Sequence, residues 1–449
     1  MSLVPPTKPC TPPSFSSLSL YGPEISSLSA DIVTGYNYLH TSRYSQPFID
    51  VENATFCNDT VTYTHPGQGD AINAEIWLPL TEWSGILQSV GGGGWTAGRN
   101  DNAYAGMAGG IVEGYATATT DAGRGEFDNF GHRSLADLLT SQTRIAKEVA
   151  SLFYGQAPQY SYWNGCSNGG RQASILAQQY PEAYDGIIAA APAMHWAELY
   201  PQGCELAELT SIAIAECDLL DGVEDEIISD LDGRKGVFRA ENHVGTPFTC
   251  AANNSVTEIS AAAADAAMAV FNGPTYSNGD FMWYGYEIGT DLSILAPFFV
   301  LRDPGSNITS LTHQQYDQLY LTLKKVLAPH AGGKMITLHG LADEAIPPES
   351  TLHYFHQVSR IVDNTTDFYR YYRVPGLEHC SGGPGGQPIH LFNQLRAWVE
   401  SGTAPGASPV SIRLPGNETM EQIICPVPLK AVRRDHNEGE EERGSWKCE

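Results

Sequence analysis

Short apolar runs separated by glycine-containing turns recur in the first and last parts of the chain. Alternation of apolar and polar residues or a continuous apolar run predicts strands over residues 70–80, 84–90, 114–120, 160–163, 186–191, 334–338 and 368–374. Helical spacing of apolar residues predicts helices over 134–154, 171–180, 259–271 and 389–401. Strands that alternate with helices are typical of a mostly parallel sheet whose two faces are both covered.

The alternation of strands and helices breaks down between residues 197 and 330. This stretch contains loops, an Asp-rich segment and aromatic clusters such as Phe281-Met282-Trp283-Tyr284. A chain of 449 residues is also too long for one small core. We therefore predict an α/β catalytic domain formed by residues 1–196 and 331–449, interrupted by a lid domain of residues 197–330.

A nucleophile motif lies between a predicted strand and a predicted helix. Gly165-Cys166-Ser167-Asn168-Gly169 matches G-x-S-x-G, in which small residues let the chain turn sharply and expose the serine hydroxyl. The amide groups at the start of the following helix favour negative charge at the same place. The motif alone is common by chance, and its position between strand and helix makes Ser167 the candidate nucleophile.

A serine nucleophile needs a base and an acid that orients the base, in the chain order Ser, acid, His for this fold class. Asp343 follows the predicted strand 334–338, and His379 follows the predicted strand 368–374. Glu344 is the rival for the acid, and Asp343 could instead make only a local turn. His379 is chosen among 13 histidines by its position after the last strand, since an ordinary surface histidine is the alternative.

Two donors are also needed for the oxyanion of the tetrahedral intermediate. One is predicted to be the backbone N–H of Asn168, directly after the nucleophile. The other is predicted to come from Gly91-Gly92-Gly93-Gly94, since glycine lets the backbone approach a substrate closely. The sequence does not specify which of these glycines donates, and Gly93 and Gly94 are the candidates.

A cysteine adjoins each of two proposed catalytic residues. Cys166 precedes Ser167 and Cys380 follows His379. We predict a Cys166–Cys380 disulfide, which would limit the relative motion of the nucleophile and histidine loops. Two free thiols with a redox role or a plain packing role are the alternative.

An acidic segment begins at Cys217 and is a candidate calcium site. Carboxylates spaced around a glycine provide the oxygen ligands that Ca²⁺ prefers. Side chains of Asp218, Asp221 and Asp225 and carbonyls of Val223 and Ile227 are the candidate ligands. A solvated acidic turn without a metal is the alternative. We further predict that Cys217 pairs with Cys250 and fixes this loop.

The amino-acid composition indicates which classes of partner the protein does not bind and in which compartment it folds. The formal net charge of −26 disfavours binding to nucleic acid or to anionic membranes, and no stretch is apolar over a bilayer-spanning length.

Residues 1–19 lack the apolar core of a signal peptide. A signal peptide was therefore either removed or never present. Nine cysteines and several glycosylation sequons favour removal and an oxidising, secretory route. The sequons start at Asn53, Asn58, Asn253, Asn307, Asn364 and Asn417.

Taken together, these motifs resemble the tannase and feruloyl esterase family over nearly the whole chain. The resemblance rests on residues 165–172 (GCSNGGRQ), 378–380 (EHC), 91–95 (GGGGW), 130–133 (FGHR) and 217–225 (CDLLDGVED). It implies an α/β-hydrolase fold with an inserted lid, a disulfide beside the triad, and Ca²⁺ bound in the lid by Asp218, Asp221, Val223, Asp225 and Ile227. It also implies the bridges Cys10–Cys57, Cys217–Cys250 and Cys425–Cys448, with Cys204 left as the odd thiol.

The sequence and the resemblance together predict a secreted serine carboxylic-ester hydrolase, as a monomer or homodimer. Its substrates would be small esters of hydroxycinnamic or hydroxybenzoic acids. A biosynthetic acyltransferase or a lactone-forming or lactone-opening enzyme with the same triad is the alternative. A catalytically silent protein that binds a phenolic or sugar ligand is a third hypothesis, which the complete triad disfavours.

Overall fold

The computed structural model defines most of the chain. It describes residues 3–20, 22–39, 43–67, 69–94, 96–123, 135–193, 203–221, 237–250, 255–272, 288, 332–343, 346, 348–383, 385–413, 419–433 and 446–449. The contacts within the chain divide it into two compact units. The larger unit consists of Met1–Met194 and Leu311–Glu449, and the smaller unit of His195–Ser310. Each unit is described by itself below.

The larger unit is built on a central sheet, in which the described residues form nine strands in the order β1-β2-β3-β5-β4-β6-β7-β10-β11. The strands are β1 Glu24–Tyr38, β2 Val51–Thr64, β3 Ile72–Pro79, β4 Ile86–Val90, β5 Ala116–Thr120, β6 Tyr160–Cys166, β7 Gly186–Ala190, β10 Lys334–Gly340 and β11 Tyr369–Val374. From β5 to β11 neighbouring strands are parallel, whereas β1, β2 and β3 are joined antiparallel and β3 pairs antiparallel with β5.

Helices cover both faces of this sheet. They are α1 Asp101–Val112, α2 Leu135–Tyr154, α3 Asn168–Gln179, α6 Pro348–Ile361 and α7 Leu391–Ser401. One face packs against apolar residues of α2, α3 and α6, and the other against residues of α1 and α7. The central strands β4, β5 and β7 are buried along their whole length, as expected for parallel strands between two helical layers. The predicted α/β sheet covered on both faces is therefore confirmed.

The smaller unit has its own apolar cluster. Its elements are α4 Gly203–Cys217, the hairpin of β8 Pro247–Cys250 with β9 Ser255–Glu258, and α5 Ala261–Asn272. Leu209, Phe248 and Ala264 contribute buried side chains from α4, β8 and α5. Glu205, buried near the start of α4, accepts hydrogen bonds from the backbone and hydroxyl of Ser260, which directly precedes α5.

Disulfides join distant parts of the chain and correct one predicted pairing. The bridges Cys10–Cys57, Cys166–Cys380 and Cys425–Cys448 are all formed as predicted. Cys250, however, is bonded to Cys204, so the predicted Cys217–Cys250 pair is wrong and Cys204 is not the odd thiol.

The correction has a simple geometric reason. Cys204 and Cys217 stand at opposite ends of α4, roughly 20 Å apart at the helical rise of about 1.5 Å per residue, so β8 can reach only one of them. The bonds from Ser260 to Glu205 hold the start of α4 beside the β8–β9 hairpin. Cys217 is buried in the same apolar cluster.

The chain ends in short hairpins beside the sheet. They are β12 Ser408–Arg413 with β13 Thr419–Ile424, and β14 Ala431–Arg433 with β15 Trp446–Cys448. A bridge between Tyr372 and Pro426, and a hydrogen bond from the Val427 amide to the Tyr371 carbonyl, attach this segment to the outer strand β11. No helix in the described ranges is long and apolar enough to cross a bilayer.

Candidate active site

Ser167 occupies the sharp turn between β6 and α3. Its backbone has φ 59° and ψ −116°, a conformation that is uncommon for a residue with a side chain and typical of a nucleophile turn. The Ser167 amide donates to the carbonyl of Ala190 at 3.0 Å, and its carbonyl accepts from the amide of Ala193 at 3.2 Å. The residues at the end of β7 therefore hold the turn, which leaves Ser167 half-buried.

Glycine is required on both sides of the serine because the backbone segments nearly touch. A Cβ at Gly165 would lie 2.6 Å from the backbone of Gly169, and a Cβ at Gly169 would lie 2.8 Å from the carbonyl oxygen of Gly92. These distances are shorter than real Cβ contacts, so larger residues would push the strand, the helix and the glycine loop apart. The small residues of the motif are therefore explained by packing.

Asp343 and His379 come together at the carboxyl ends of β10 and β11. The Nδ1 atom of His379 lies 2.8 Å from Oδ2 of Asp343, whose side chain is fully buried, while that of His379 is 20% exposed. The other carboxylate oxygen, Oδ1, accepts from the amide of Ile346 at 2.7 Å. This contact has the geometry expected of a base and the acid that orients it. Glu344, the rival acid, lies outside the described residues.

A second histidine contacts the same carboxylate. The Nε2 atom of His339 lies 3.0 Å from Oδ2 of Asp343, and the His339 side chain is fully buried. Burial by itself raises the pKa of Asp343, but hydrogen bonds from His339, His379 and the Ile346 amide outweigh it and hold the pKa well below its ordinary value. Asp343 is therefore ionised at neutral pH.

The loops that carry the candidate residues are tied to one another. The amides of Leu341 and Ala342 donate to the carbonyls of Val374 and Leu377, at 2.9 and 3.0 Å. The Cys166–Cys380 bridge, with its Cα atoms 5.8 Å apart, connects the chain neighbours of Ser167 and His379. Direct hydrogen bonding thus joins the acid to the histidine, and a covalent link joins the histidine loop to the nucleophile turn.

The glycine loop after β4 is held by the first turns of α3. Gln172 is fully buried; its Oε1 accepts from the amide of Gly92 at 3.2 Å, and its Nε2 donates to the carbonyl of Ala97 at 2.9 Å. The amide of Gly169 donates to the carbonyl of Gly92 at 2.8 Å, and the side-chain amide of Asn168 donates to the carbonyl of Thr96 at 3.0 Å. The loop and the nucleophile turn therefore form one hydrogen-bonded assembly.

Only part of the candidate calcium site falls within the described residues. Asp218 and Asp221 lie on the single 3-10 turn that follows α4, and Asp218 is buried. Val223, Asp225 and Ile227 lie outside the described residues. Within the described ranges, no group of three or more His, Cys, Asp or Glu side chains could hold a metal ion.

The sequons differ in their exposure. Asn53 and Asn364 are exposed and have positive φ values, whereas Asn58 is half-buried within β2. Asn253, Asn307 and Asn417 lie outside the described residues, as do Trp95 and residues 130–133 of the family signature.

Sequence reasoning missed the importance of two side chains in this region. His339 stands next to last in a buried strand and four residues before Asp343, which is the only sequence signal that it faces the acid. Gln172 is a buried amide among the small and apolar residues of α3, and beyond its place in the GCSNGGRQ motif no sequence signal marks it. The partners of Gln172 are backbone atoms 75 and 80 residues away, and Nε2 of His339 contacts the loop that folds back over its own strand.

The comparisons with known proteins agree with this architecture. The sequence profile described as "Tannase and feruloyl esterase" matches residues 57–302 and 311–448. A probable feruloyl esterase of Arthroderma benhamiae is 31% identical over 83% of this chain and 82% of its own length. A tannase of Aspergillus oryzae is 26% identical over 85% of this chain and 84% of its own.

Among solved structures, the tannin acyl hydrolase of Aspergillus niger superposes with a TM-score of 0.58 at 24% identity, covering 98% of this chain and 95% of that one. This similarity supports the α/β-hydrolase fold. Because the family profile matches most of the sequence, the chain belongs to the tannase and feruloyl esterase family of carboxylic ester hydrolases.

Proposed function

We propose that Ser167, His379 and Asp343 form a catalytic triad that hydrolyses esters through an acyl-enzyme. The observation that carries this proposal is the 2.8 Å contact between Asp343 Oδ2 and His379 Nδ1, on a loop bonded through Cys380 to the residue before Ser167. An ionised, buried Asp343 keeps the proton of the neutral imidazole on Nδ1, so that Nε2 is the nitrogen that accepts the serine proton.

In the first half of the reaction, His379 Nε2 takes the proton from Ser167 Oγ as the oxygen attacks the ester carbonyl. The tetrahedral intermediate collapses when the bond to the alcohol oxygen breaks, and His379 gives its proton to that oxygen. In the second half, His379 takes a proton from water, whose oxygen attacks the acyl-enzyme. The acid leaves, and the proton returns to Ser167.

The oxyanion would be held by the backbone amide of Asn168 and an amide of the glycine loop. On that loop the amide of Gly91 donates to the carbonyl of Asn164 at 3.1 Å, and the amide of Gly92 donates to Gln172. Because both are engaged within the protein, Gly93 and Gly94 are the candidates for the second donor. Gly94 adopts φ 57°, which favours glycine.

The test of the triad is Ser167→Ala, with Ser174→Ala as the matched control. Both serines belong to the same strand-turn-helix segment, and the Ser174 hydroxyl donates to the carbonyl of Gly170 at 3.1 Å. We expect Ser167→Ala to abolish turnover of a chromogenic phenolic ester without lowering the melting temperature, and Ser174→Ala to retain kcat. Turnover that survives in Ser167→Ala would refute the proposal.

The proposed substrates are esters of hydroxycinnamic or hydroxybenzoic acids, because the matched relatives are named feruloyl esterase and tannase. Comparison of kcat/KM for methyl ferulate, methyl gallate, aliphatic p-nitrophenyl esters and lactones reports discrimination in the transition state directly. We expect the aromatic acid esters to be preferred. A higher kcat/KM for aliphatic esters or lactones would contradict this choice of substrate, and it would leave the triad intact.

We also propose that the smaller unit binds a structural Ca²⁺ through Asp218, Asp221, Val223, Asp225 and Ile227. The chemistry of the two ligands on the described 3-10 turn fits this ion, because both residues carry carboxylates, whose oxygens Ca²⁺ prefers. Bound Ca²⁺ would neutralise the charge of these carboxylates and fix the segment that carries the five ligands.

Thermal unfolding with and without a calcium chelator tests the metal site. We expect chelation to lower the melting temperature, and Asp221→Asn to lose this response. Asp265→Asn, an exposed carboxylate on α5 of the same unit, should keep it. An unchanged melting temperature of the wild-type protein after verified removal of calcium would reject the site.

Secretion is proposed from the disulfides and from exposed sequons at Asn53 and Asn364. Expression in a glycosylating host should place glycans on these two residues, which removal of N-glycans would reveal as a mass shift at each site. Cytosolic retention of the natural protein, without glycans, would contradict secretion.

A further inference from the structure

The carboxylate of Asp343 is held by two histidines, of which the proposed mechanism uses only one. His379 approaches Oδ2 from the loop after β11, and His339 approaches the same oxygen from within β10. His339 is fully buried on the face of the sheet covered by α6, whereas His379 is partly exposed. A strand residue enclosed on all sides is a more rigid support than a loop residue.

The contacts of His339 determine which of its nitrogens carries a proton. Nε2 lies 3.0 Å from both Asp343 Oδ2 and the carbonyl oxygen of Ile346, and both of these atoms can only accept. Nε2 must therefore donate. Nδ1 lies 2.8 Å from the hydroxyl of Thr351, a fully buried residue of α6. A hydroxyl can donate to Nδ1, so a neutral imidazole with its proton on Nε2 satisfies every contact.

A neutral His339 also fits the electrostatics of the reaction. During turnover His379 becomes an imidazolium, and Asp343 is the carboxylate that stabilises it. A second cation on the same buried carboxylate would repel the imidazolium and would have to be desolvated completely. A neutral donor, in contrast, fixes the carboxylate without competing for its charge.

We infer that His339 is a positioning residue: its Nε2–H, oriented by Thr351, holds the Asp343 carboxylate in the plane in which it can orient His379. This inference rests on the proposed triad. His339 touches neither the substrate nor the reacting atoms, and it acts through Asp343. His339 donates to Oδ2 and the Ile346 amide donates to Oδ1, so both carboxylate oxygens are fixed independently of His379.

The substitutions His339→Gln and His339→Leu separate this role from simple packing. The glutamine side chain can direct an N–H donor towards Asp343, whereas leucine fills similar space without a donor. We expect kcat to fall about 10- to 100-fold in His339→Leu, because a hydrogen bond to a charged group is lost. His339→Gln should stay within a few-fold of wild type. KM should change little in either variant, since substrate contacts are untouched.

Thr351→Val tests the support of the imidazole without changing the histidine. Removal of the hydroxyl leaves the buried Nδ1 without its donor, so the ring that holds Asp343 is less firmly oriented, and we expect kcat to fall about 2- to 10-fold. Thr143→Val is the matched control: its buried hydroxyl bonds to the Tyr184 hydroxyl at 2.8 Å, away from the acid. It should lose stability and keep kcat.

The outcomes separate failure of this inference from failure of the triad. The inference is overturned if folded His339→Leu has wild-type kcat while Ser167→Ala is inactive, or if the glutamine variant loses as much kcat as leucine. If His339→Leu does not fold, Thr351→Val decides: a kcat no lower than that of Thr143→Val rejects the role. Turnover in Ser167→Ala would instead refute the triad itself.

Discussion

Gln172 provides a sharp test of how the glycine loop contributes to catalysis. Its side chain bonds both to the Gly92 amide and to the Ala97 carbonyl, so it spans the loop that carries the proposed oxyanion donors. Gln172→Met removes both hydrogen bonds and keeps a side chain of similar length in a fully buried site. The substitution therefore disturbs the loop without opening a large cavity.

The expected magnitude follows from the groups left behind. Each buried group that loses its partner costs about 1–3 kcal/mol, so the native loop position is disfavoured by about 2–6 kcal/mol unless the loop moves or water enters. Movement of the loop misplaces an oxyanion donor, and loss of one such donor lowers kcat by about 10²–10³-fold. We predict a fall in kcat of about 100-fold, with KM within a few-fold of wild type.

Gln178→Met is the matched control, because Gln178 is a buried glutamine of the same helix that donates to the Tyr354 hydroxyl at 2.6 Å, away from the loop. Both variants should lose melting temperature, and only Gln172→Met should lose kcat on a chromogenic phenolic ester. Wild-type kcat in folded Gln172→Met would refute the reasoning. An equal loss of kcat in the two variants would do so as well.

Further predictions concern a buried carboxylate and the disulfide beside the triad. Asp59 is fully buried without a hydrogen-bond partner for either oxygen among the described residues, and burial raises its pKa from 3.8 to about 7. Folded protein therefore keeps a proton that unfolded protein releases above about pH 4, so stability is lost as pH rises from there to about 7, by about 4 kcal/mol. In urea unfolding, Asp59→Asn should remove this slope and be more stable than wild type at pH 8; parallel pH curves would contradict it. Replacement of Cys166 and Cys380 by Ala, or of Cys10 and Cys57, should each cost about 2–5 kcal/mol. At a temperature where both variants are folded, only the first should lose kcat, and equal kcat values would show that the bridge does not position the site.

The parallel part of the sheet could be predicted from the sequence, because its strands are buried on both faces and appear as continuous apolar runs. The predicted strand 84–90 is β4, and the predicted strand 186–191 is β7. The carboxyl ends of such strands meet at one edge of a sheet. The positions of Ser167, Asp343 and His379, each directly after a predicted strand, were therefore enough to indicate that they lie at one edge.

The hairpin of β1 and β2 was not predicted, and neither was α6. Most of β1 faces solvent, and its register shifts break the alternation on which strand prediction depends. Its long pairing with β2, rather than an apolar pattern, forms the strand. In α6 the buried residues are Thr351, Tyr354, Phe355 and Val358. Its apolar stripe is therefore narrow, which weakens the helical pattern in the sequence.

Two contacts could not be predicted from local pattern: the disulfide between Cys204 and Cys250, and the hydrogen bond between His339 and Asp343. The positions of the cysteines are known from the sequence, but which of Cys204 and Cys217 bonds to Cys250 depends on which end of α4 lies beside it. In the same way, the 3.0 Å contact from His339 to Asp343 depends on how the loop after β10 folds back over its own strand. Pairings of this kind follow from tertiary packing, which local pattern does not contain.

Labelling of the wild-type enzyme with a fluorophosphonate probe, followed by peptide mass spectrometry of the adduct, tests directly whether Ser167 is the nucleophile. We expect one adduct per chain on Ser167, with loss of ester hydrolysis in proportion to labelling. Complete labelling at another residue, or full ester hydrolysis by an enzyme whose Ser167 is modified, would contradict it.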